Sequence, residues 1–140
     1  MISDPGNGNG GAARPSTTGR LRILIVDDDA ELRHALGLLF EYEGYDVLPQ
    51  AANGLEAITL ARRYRPGVIV LDYRMPHLNG EEAAKLIRTV APEARIVAFS
   101  AILDHAPDWA DAYLNKDRIA EIAPLIDRLI RPLREPAPSA

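Results

Sequence analysis

From Leu21 onward, the apolar positions fall into two alternating patterns. Short, nearly continuous apolar runs read as strands buried on both faces. Longer stretches with apolar residues three and four apart read as amphipathic helices. Leu21 to Asp27 is the first strand-like run. Ala30 to Glu43 follows as a helix with Leu32, Leu36, Leu39 and Phe40 on one face, Asp28 or Asp29 as its cap and Gly44 at its stop. Tyr45 to Ala51 reads as a short strand, and Pro49, which has no N–H for a sheet ladder, puts it at an edge. Asn53 caps a helix running to about Tyr64, with Leu55, Ile58 and Ala61 inward, and Pro66-Gly67 closes it.

The alternation continues with a strand at Val68 to Asp72 and a helix at Gly80 to Val90 whose apolar positions are Ala83, Leu86, Ile87 and Val90. Arg95 to Ser100 is a fourth strand and Ala112 to Asn115 a short fifth. The last helix carries Ile122, Leu125, Ile126, Leu129, Ile130 and Leu133. Proline is tolerated in a first helical turn and not in an uninterrupted interior, so Pro124 sets the regular start near Ile122 or Ala123. Strands alternating with helices predict an α/β, doubly wound parallel sheet with helices on both faces and right-handed crossovers.

Composition bounds this picture. The apolar share of 47% over 140 residues suffices for one domain with a core, spanning 20–134. Residues 1–19, rich in Gly, Asn, Ser, Thr and Pro, are predicted to be a disordered arm, and 135–140 a disordered tail. The net charge of −4 offers no general attraction to nucleic acid or anionic membrane. With 0 cysteines, disulfides, zinc-thiolate sites and thiol catalysis are excluded. The chain has no run long enough to span a bilayer and no signal pattern, and it reads as cytoplasmic.

The chemistry gathers at strand ends. Asp72 closes an apolar run and opens a Pro/Gly loop, which places its carboxylate at the carboxyl edge of the sheet, where open α/β sheets bind ligands. Asp27-Asp28-Asp29 follow the first strand, Ser100 ends the fourth and Lys116 follows the fifth. Carboxylates in such a group suit Mg²⁺, a hard cation that takes oxygen ligands. Asp28 is the first candidate ligand, Asp27 orients it, and Asp72 supplies another oxygen. Acidic residues also favour helix N-termini, and Asp29 is assigned to the cap. Lys116 either pairs with Asp72 or a phosphoryl oxygen, or is a solvated strand-end lysine. The Ser100 hydroxyl either donates to a phosphoryl oxygen or bonds its own loop. His77 reads as exposed, His34 and His105 lack metal-ligand spacing, and Trp109 reads as packing.

As a set, Ile23-Leu24-Ile25-Val26-Asp27-Asp28-Asp29, Leu71-Asp72-Tyr73-Arg74-Met75-Pro76 with Gly80, Phe99-Ser100-Ala101 and Ala110-Asp111-Ala112-Tyr113-Leu114-Asn115-Lys116 resemble the receiver domain of two-component response regulators. The resemblance spans Leu21 to about Leu133. It implies a flavodoxin-like (CheY-like) five-stranded parallel sheet in the order 2-1-3-4-5. It implies that Asp72 accepts a phosphoryl group from a sensor histidine kinase or a histidine phosphotransfer protein, in a phosphorelay whose output is altered binding of a downstream protein target. Mg²⁺ would be held by Asp27, Asp28, Asp72 and the backbone carbonyl of Arg74. Ser100 and Lys116 would bind phosphoryl oxygens, and Ser100 and Tyr113 would form the switch. On this reading the protein is a signalling phosphoacceptor and not an enzyme with a separate substrate. It acts as a monomer or weak homodimer with no nucleic-acid or membrane partner. Among neighbouring carboxylates, mutual repulsion raises a pKa without metal, which couples metal and phosphate binding.

The sequence also departs from that family. Ser100 and Tyr113 are 13 positions apart, shorter than usual by more than a helical turn, so the fourth helix is predicted to be shortened or absent across 101–111, which contains Pro107. Asp117 stands where proline usually follows the lysine, so no cis bond is expected there, and Asp117 either adds charge near the site or caps the next turn. Ile102, two residues past Ser100, is expected to limit water access and slow phosphate hydrolysis. Two other readings differ in class. One is a phosphate-independent, receiver-like protein interaction module. The other is a haloacid-dehalogenase-type phosphotransferase, which needs an aspartate two residues past the nucleophile, where this chain has Arg74.

Overall fold

The structure, a computed structural model, describes residues 19–134, with side chains described as far as Arg131. The predicted arm (apart from Gly19), the tail at 135–140 and the side chain of Leu133 lie outside that description. Five strands form one parallel sheet in the order β2-β1-β3-β4-β5. They are β1 (Arg22–Val26), β2 (Asp46–Val47), β3 (Val68–Leu71), β4 (Arg95–Ser100) and β5 (Ala112–Asn115). The helices are α1 (Ala30–Tyr42), α2 (Gly54–Tyr64), α3 (Gly80–Val90) and α4 (Ile122–Arg134), with a 3₁₀ turn at Lys116–Glu121 before the last.

Successive strand residues point to opposite faces, and the core divides accordingly. Leu24, Val26, Ile69, Leu71 and Ile96 pack with Ala57 and Ala61 of α2 and Ala83, Ala84 and Ile87 of α3. Ile23, Ile25, Val68, Val70, Val97 and Phe99 pack with Leu36 and Phe40 of α1 and Ile122, Ile126 and Ile130 of α4. Both faces of the sheet are therefore covered, which is why its strands read as continuous apolar runs.

Several predicted details change. The predicted strand Tyr45–Ala51 contracts to Asp46–Val47 and resumes as a single bridge between Val26 and Ala51. Pro49 interrupts the ladder because it has no N–H to donate, while Leu48 and Ala51 on either side still donate to Ile23 and Ile25 carbonyls. Leu55 is exposed at 52% of its surface and not inward, and Leu86, one of the apolar positions of α3, is exposed at 46%. The buried positions of α2 are Gly54, Ala57 and Ala61, so Leu55 stands one residue, about 100° of helical rotation, off that face. Leu86 stands one residue off the buried Ile87 of α3 in the same way.

Asp29 is the N-cap of α1, accepting from the Glu31 and Leu32 N–H groups, and Gly44 follows its end at φ +88°. No fourth helix forms between β4 and β5; residues 101–111 hold only bends and a short turn at Asp108-Trp109. No described peptide bond is cis. The turn after Lys116 is capped by the Asn115 side chain, not by Asp117, which is exposed. Among the described residues, no helix is long and apolar enough to cross a membrane.

Candidate functional site

Parallel register aligns the carboxyl ends of the central strands. Val26 faces Leu71, Leu71 faces Ala98, and Ser100 faces Asn115. The next residues in their chains, Asp27, Asp72 and Lys116, are thereby carried to one edge together with Ser100. Among the described residues, the buried polar or charged ones are Asp27, Asp72 and Ser100, at 2%, 6% and 1% exposure. Burial of such groups is costly unless they are paired, so their confinement to one edge marks it as a built site.

Lys116 Nζ lies 2.7 Å from Asp27 Oδ2 and 3.1 Å from Asp72 Oδ2, bridging the two buried carboxylates. The second Asp27 oxygen accepts from the Asp29 N–H at 2.9 Å, and the second Asp72 oxygen accepts from the Tyr73 N–H at 2.8 Å. Asp28 is exposed, yet one carboxylate oxygen from each of Asp27, Asp28 and Asp72 lies within 4.8 Å of the others. Burial pushes the Asp72 pKa up, the nearby charge of Asp27 adds to this, and Lys116 opposes it. Burial, more than the predicted mutual repulsion, is the larger cause. For Lys116, burial works against the charge, but its hydrogen bond to Asp27 and the attraction of both carboxylates outweigh it, and the pKa rises.

Ser100 Oγ accepts from the Ile102 N–H at 3.2 Å, so in this state the hydroxyl serves its own loop. Tyr113 is half-buried, and its hydroxyl donates to the Leu103 carbonyl. Arg74 is exposed on the β3–α3 loop and Ile102 is half-exposed beside Ser100. His77 and His34 are exposed, and His105, also exposed, pairs with Asp104. None of the three belongs to the acidic group. That donor set of three clustered carboxylates fits a hard divalent cation such as Mg²⁺ and offers no soft ligand.

The profile of the response regulator receiver domain matches residues 23–116, most of the described chain. The chain belongs to this family. The receiver is 34% identical over 120 residues to the transcriptional regulatory protein PdtaR of Mycobacterium tuberculosis, an alignment covering 81% of this chain and 58% of that protein. It thus spans a little over half the length of that curated relative. Its fold matches the response regulator TrrA of Thermotoga maritima, solved with Mg²⁺ and BeF, at TM-score 0.70 and 31% identity, covering 78% of this chain and 98% of that one. It also matches the receiver domain of the sensor histidine kinase PA1611 of Pseudomonas aeruginosa, solved with magnesium in its active-site cleft. There the TM-score is 0.71 and the identity 26%, covering 80% of this chain and 98% of that one.

Three features of this receiver site escape sequence reasoning. Arg33, one turn into α1, donates to the Asp27 carbonyl at 2.5 Å and so anchors the backbone of the acidic cluster. Its only sequence signal is a basic residue six positions after Asp27. Tyr73 and Trp109 stack with centroids 6.2 Å apart. Gly80 has no room for a side chain: a Cβ there would sit 2.5 Å from the Asp72 carbonyl oxygen and 2.8 Å from Tyr73 Cα. Both are backbone atoms that cannot swing aside. Gly80→Ala is therefore expected to destabilise the fold by about 2 kcal/mol, measured by urea denaturation. Wild-type stability in that variant would show that the loop yields freely.

Proposed function

We propose that this receiver accepts a phosphoryl group on Asp72 and thereby switches binding to a protein partner. The observation that carries the reading is the buried pair of carboxylates at the sheet edge, held by one lysine and joined by exposed Asp28. Phosphoryl transfer needs positioning and charge stabilisation more than covalent help. An Asp72 oxygen attacks phosphorus, and the new P–O bond forms as the P–N bond to a donor phosphohistidine breaks and the imidazole leaves. Lys116 moves from pairing carboxylates to pairing the added phosphoryl oxygens, as a point charge on a flexible stem. The Ser100 hydroxyl can rotate from the Ile102 N–H to donate to the same group. Asp27, Asp28, Asp72 and the Arg74 carbonyl would hold Mg²⁺, which supplies charge neutralisation at the transferred group.

The proposed phosphodonors are a sensor histidine kinase or a phosphotransfer protein, the setting is cytoplasmic, and the output is a downstream protein whose binding depends on Ser100 and Tyr113. Modified Asp72 would hydrolyse slowly with water as the acceptor. Ile102, half-exposed beside Ser100, presents an apolar side chain there. Ile102→Asn is expected to speed loss of the phosphate about tenfold, the worth of one hydrogen bond to the attacking water. An unchanged decay rate, followed by mass spectrometry, removes Ile102 from that role.

The test of the whole reading is treatment with a small acyl phosphate, with and without Mg²⁺, followed by mapping of the label. Mg²⁺-dependent label on Asp72 is the expected result, and absence of label rejects it. The alternative, a phosphate-independent interaction module, draws on the lack of a helix across 101–111. It requires partner binding that is indifferent to loss of Asp72.

A further inference from the structure

The segment that stands in place of a helix between β4 and β5 is tied down unevenly. Its first half is held by the Ile102 N–H on Ser100 Oγ and by the Tyr113 hydroxyl on the Leu103 carbonyl. Its second half is bolted to the body. Arg88 of α3 donates to the Trp109 carbonyl and to Asp111 Oδ2, both at 3.2 Å. The same Asp111 oxygen accepts from the Ile96 N–H at 2.8 Å, and the Asp111 N–H returns a bond to the Ile96 carbonyl at 2.8 Å.

Trp109, the 1 tryptophan of the chain, is carried on this base. Its indole lies against Tyr73 with an interplanar angle of 24°. Its ring edge approaches Gly80 to 3.1 Å from where a Cβ would stand, so the glycine is what admits it. Tyr73 in turn is bonded to Asp72. Its N–H donates to Asp72 Oδ1 at 2.8 Å, and its carbonyl accepts from the Gly80 N–H at 2.6 Å. The backbone beside the acceptor is thus held by two hydrogen bonds, and the Tyr73 ring lies against the indole of a distant segment.

We propose that Trp109 is a positioning residue for the Asp72 acceptor, clamping Tyr73 so that its N–H aims the carboxylate. The inference rests on the reading of Asp72 as phosphoacceptor and adds a residue outside the sheet edge to that site. Trp109 acts through Tyr73, against whose ring it lies, and is assigned no contact with donor or phosphate. It also makes the helix-less segment part of the acceptor machinery, so that displacing this segment would lower phosphoryl uptake. Misplacement of a reacting group by about 1 Å costs on the order of 100-fold in rate.

The test is a double-mutant cycle on the rate of acyl-phosphate labelling with Mg²⁺. Trp109→Ala and Tyr73→Ala are each expected to slow labelling about 10- to 100-fold, and the double variant no more than the slower single. Trp109→Phe, which keeps a ring on Tyr73, is expected to restore most of the rate. Strictly multiplicative effects, or an unchanged rate in either single variant, overturn the proposal. If Trp109→Ala fails to fold, Tyr73→Ala and Trp109→Phe decide it: a normal rate in the first, or a rate in the second as slow as in the first, rejects the clamp. Absence of label on wild-type Asp72 rejects the acceptor reading and the clamp with it. Labelled wild type with an unaffected Tyr73→Ala rejects the clamp alone.

Discussion

Asp72→Asn is expected to abolish labelling by acyl phosphate, a loss of about 10⁴-fold or more, the scale of removing a nucleophile. The amide keeps the shape and an acceptor oxygen but has no anionic oxygen to attack phosphorus. Its fold should not suffer. The Asp72 pKa is raised in the folded protein, chiefly by burial and then by Asp27. A carboxyl raised in this way favours the fold most when protonated. That contribution is full below the unfolded pKa and falls away as pH rises toward the folded pKa. Above that point the ionised Asp72 is a net burden, and the asparagine variant does not carry it. Near neutral pH without Mg²⁺, Asp72→Asn should therefore match or exceed wild type in urea. A variant that is well folded yet still labelled elsewhere at the wild-type rate would sink the assignment of Asp72. A variant that binds its partner as wild type does would favour the interaction-module reading.

Lys116→Met should have the largest effect on stability. Its ammonium is the shared partner of Asp27 and Asp72, whose side chains are 3% and 7% exposed, while its own is 22% exposed. Removing one partner from a buried ionic cluster leaves uncompensated charge and costs about 3 kcal/mol. The methionine retains an apolar stem of similar length, so the cost is electrostatic and not a packing void. A cation that binds only the folded state should restore part of this stability by mass action. Urea denaturation in chelator and in Mg²⁺ should thus give a larger Mg²⁺-dependent gain for the variant than for wild type. Labelling should fall about 100- to 1,000-fold in either case, since a preorganised positive group facing the transferred phosphoryl is lost. Equal stability of variant and wild type in chelator would mean that the two carboxylates do not depend on Lys116.

These expectations rest on features of unequal visibility in the chain. Helix α3 and strands β4 and β5 occur where the hydrophobic pattern puts them, because each is set by short-range pattern. Pro49 disclosed the edge position of β2, because a missing N–H is a property of the residue itself. The inward direction expected of Leu55 fails, and the apolar Leu86 is exposed as well. Apolar character does not say which side of a helix meets the sheet when small residues such as Ala57 and Ala83 take the close contacts. Nor was Asn115 foreseen as the cap next to Asp117, since both are capping types and only the turn's backbone chooses between them.

By itself the sequence determined the order of strands and helices, the lack of room for more than a short turn of helix across 101–111 and the polar residues at the ends of β1, β3, β4 and β5. Those are local facts about spacing and residue chemistry. Tertiary structure decided that Lys116 reaches across to both Asp27 and Asp72, that burial more than repulsion raises the Asp72 pKa, and that Ser100 serves its own loop in this state. It alone brought Trp109 onto Tyr73 and pressed it against Gly80. Each of those outcomes depends on distances between residues far apart in the chain. Such distances are set by how the sheet registers its strands and packs its faces, and no local pattern encodes them.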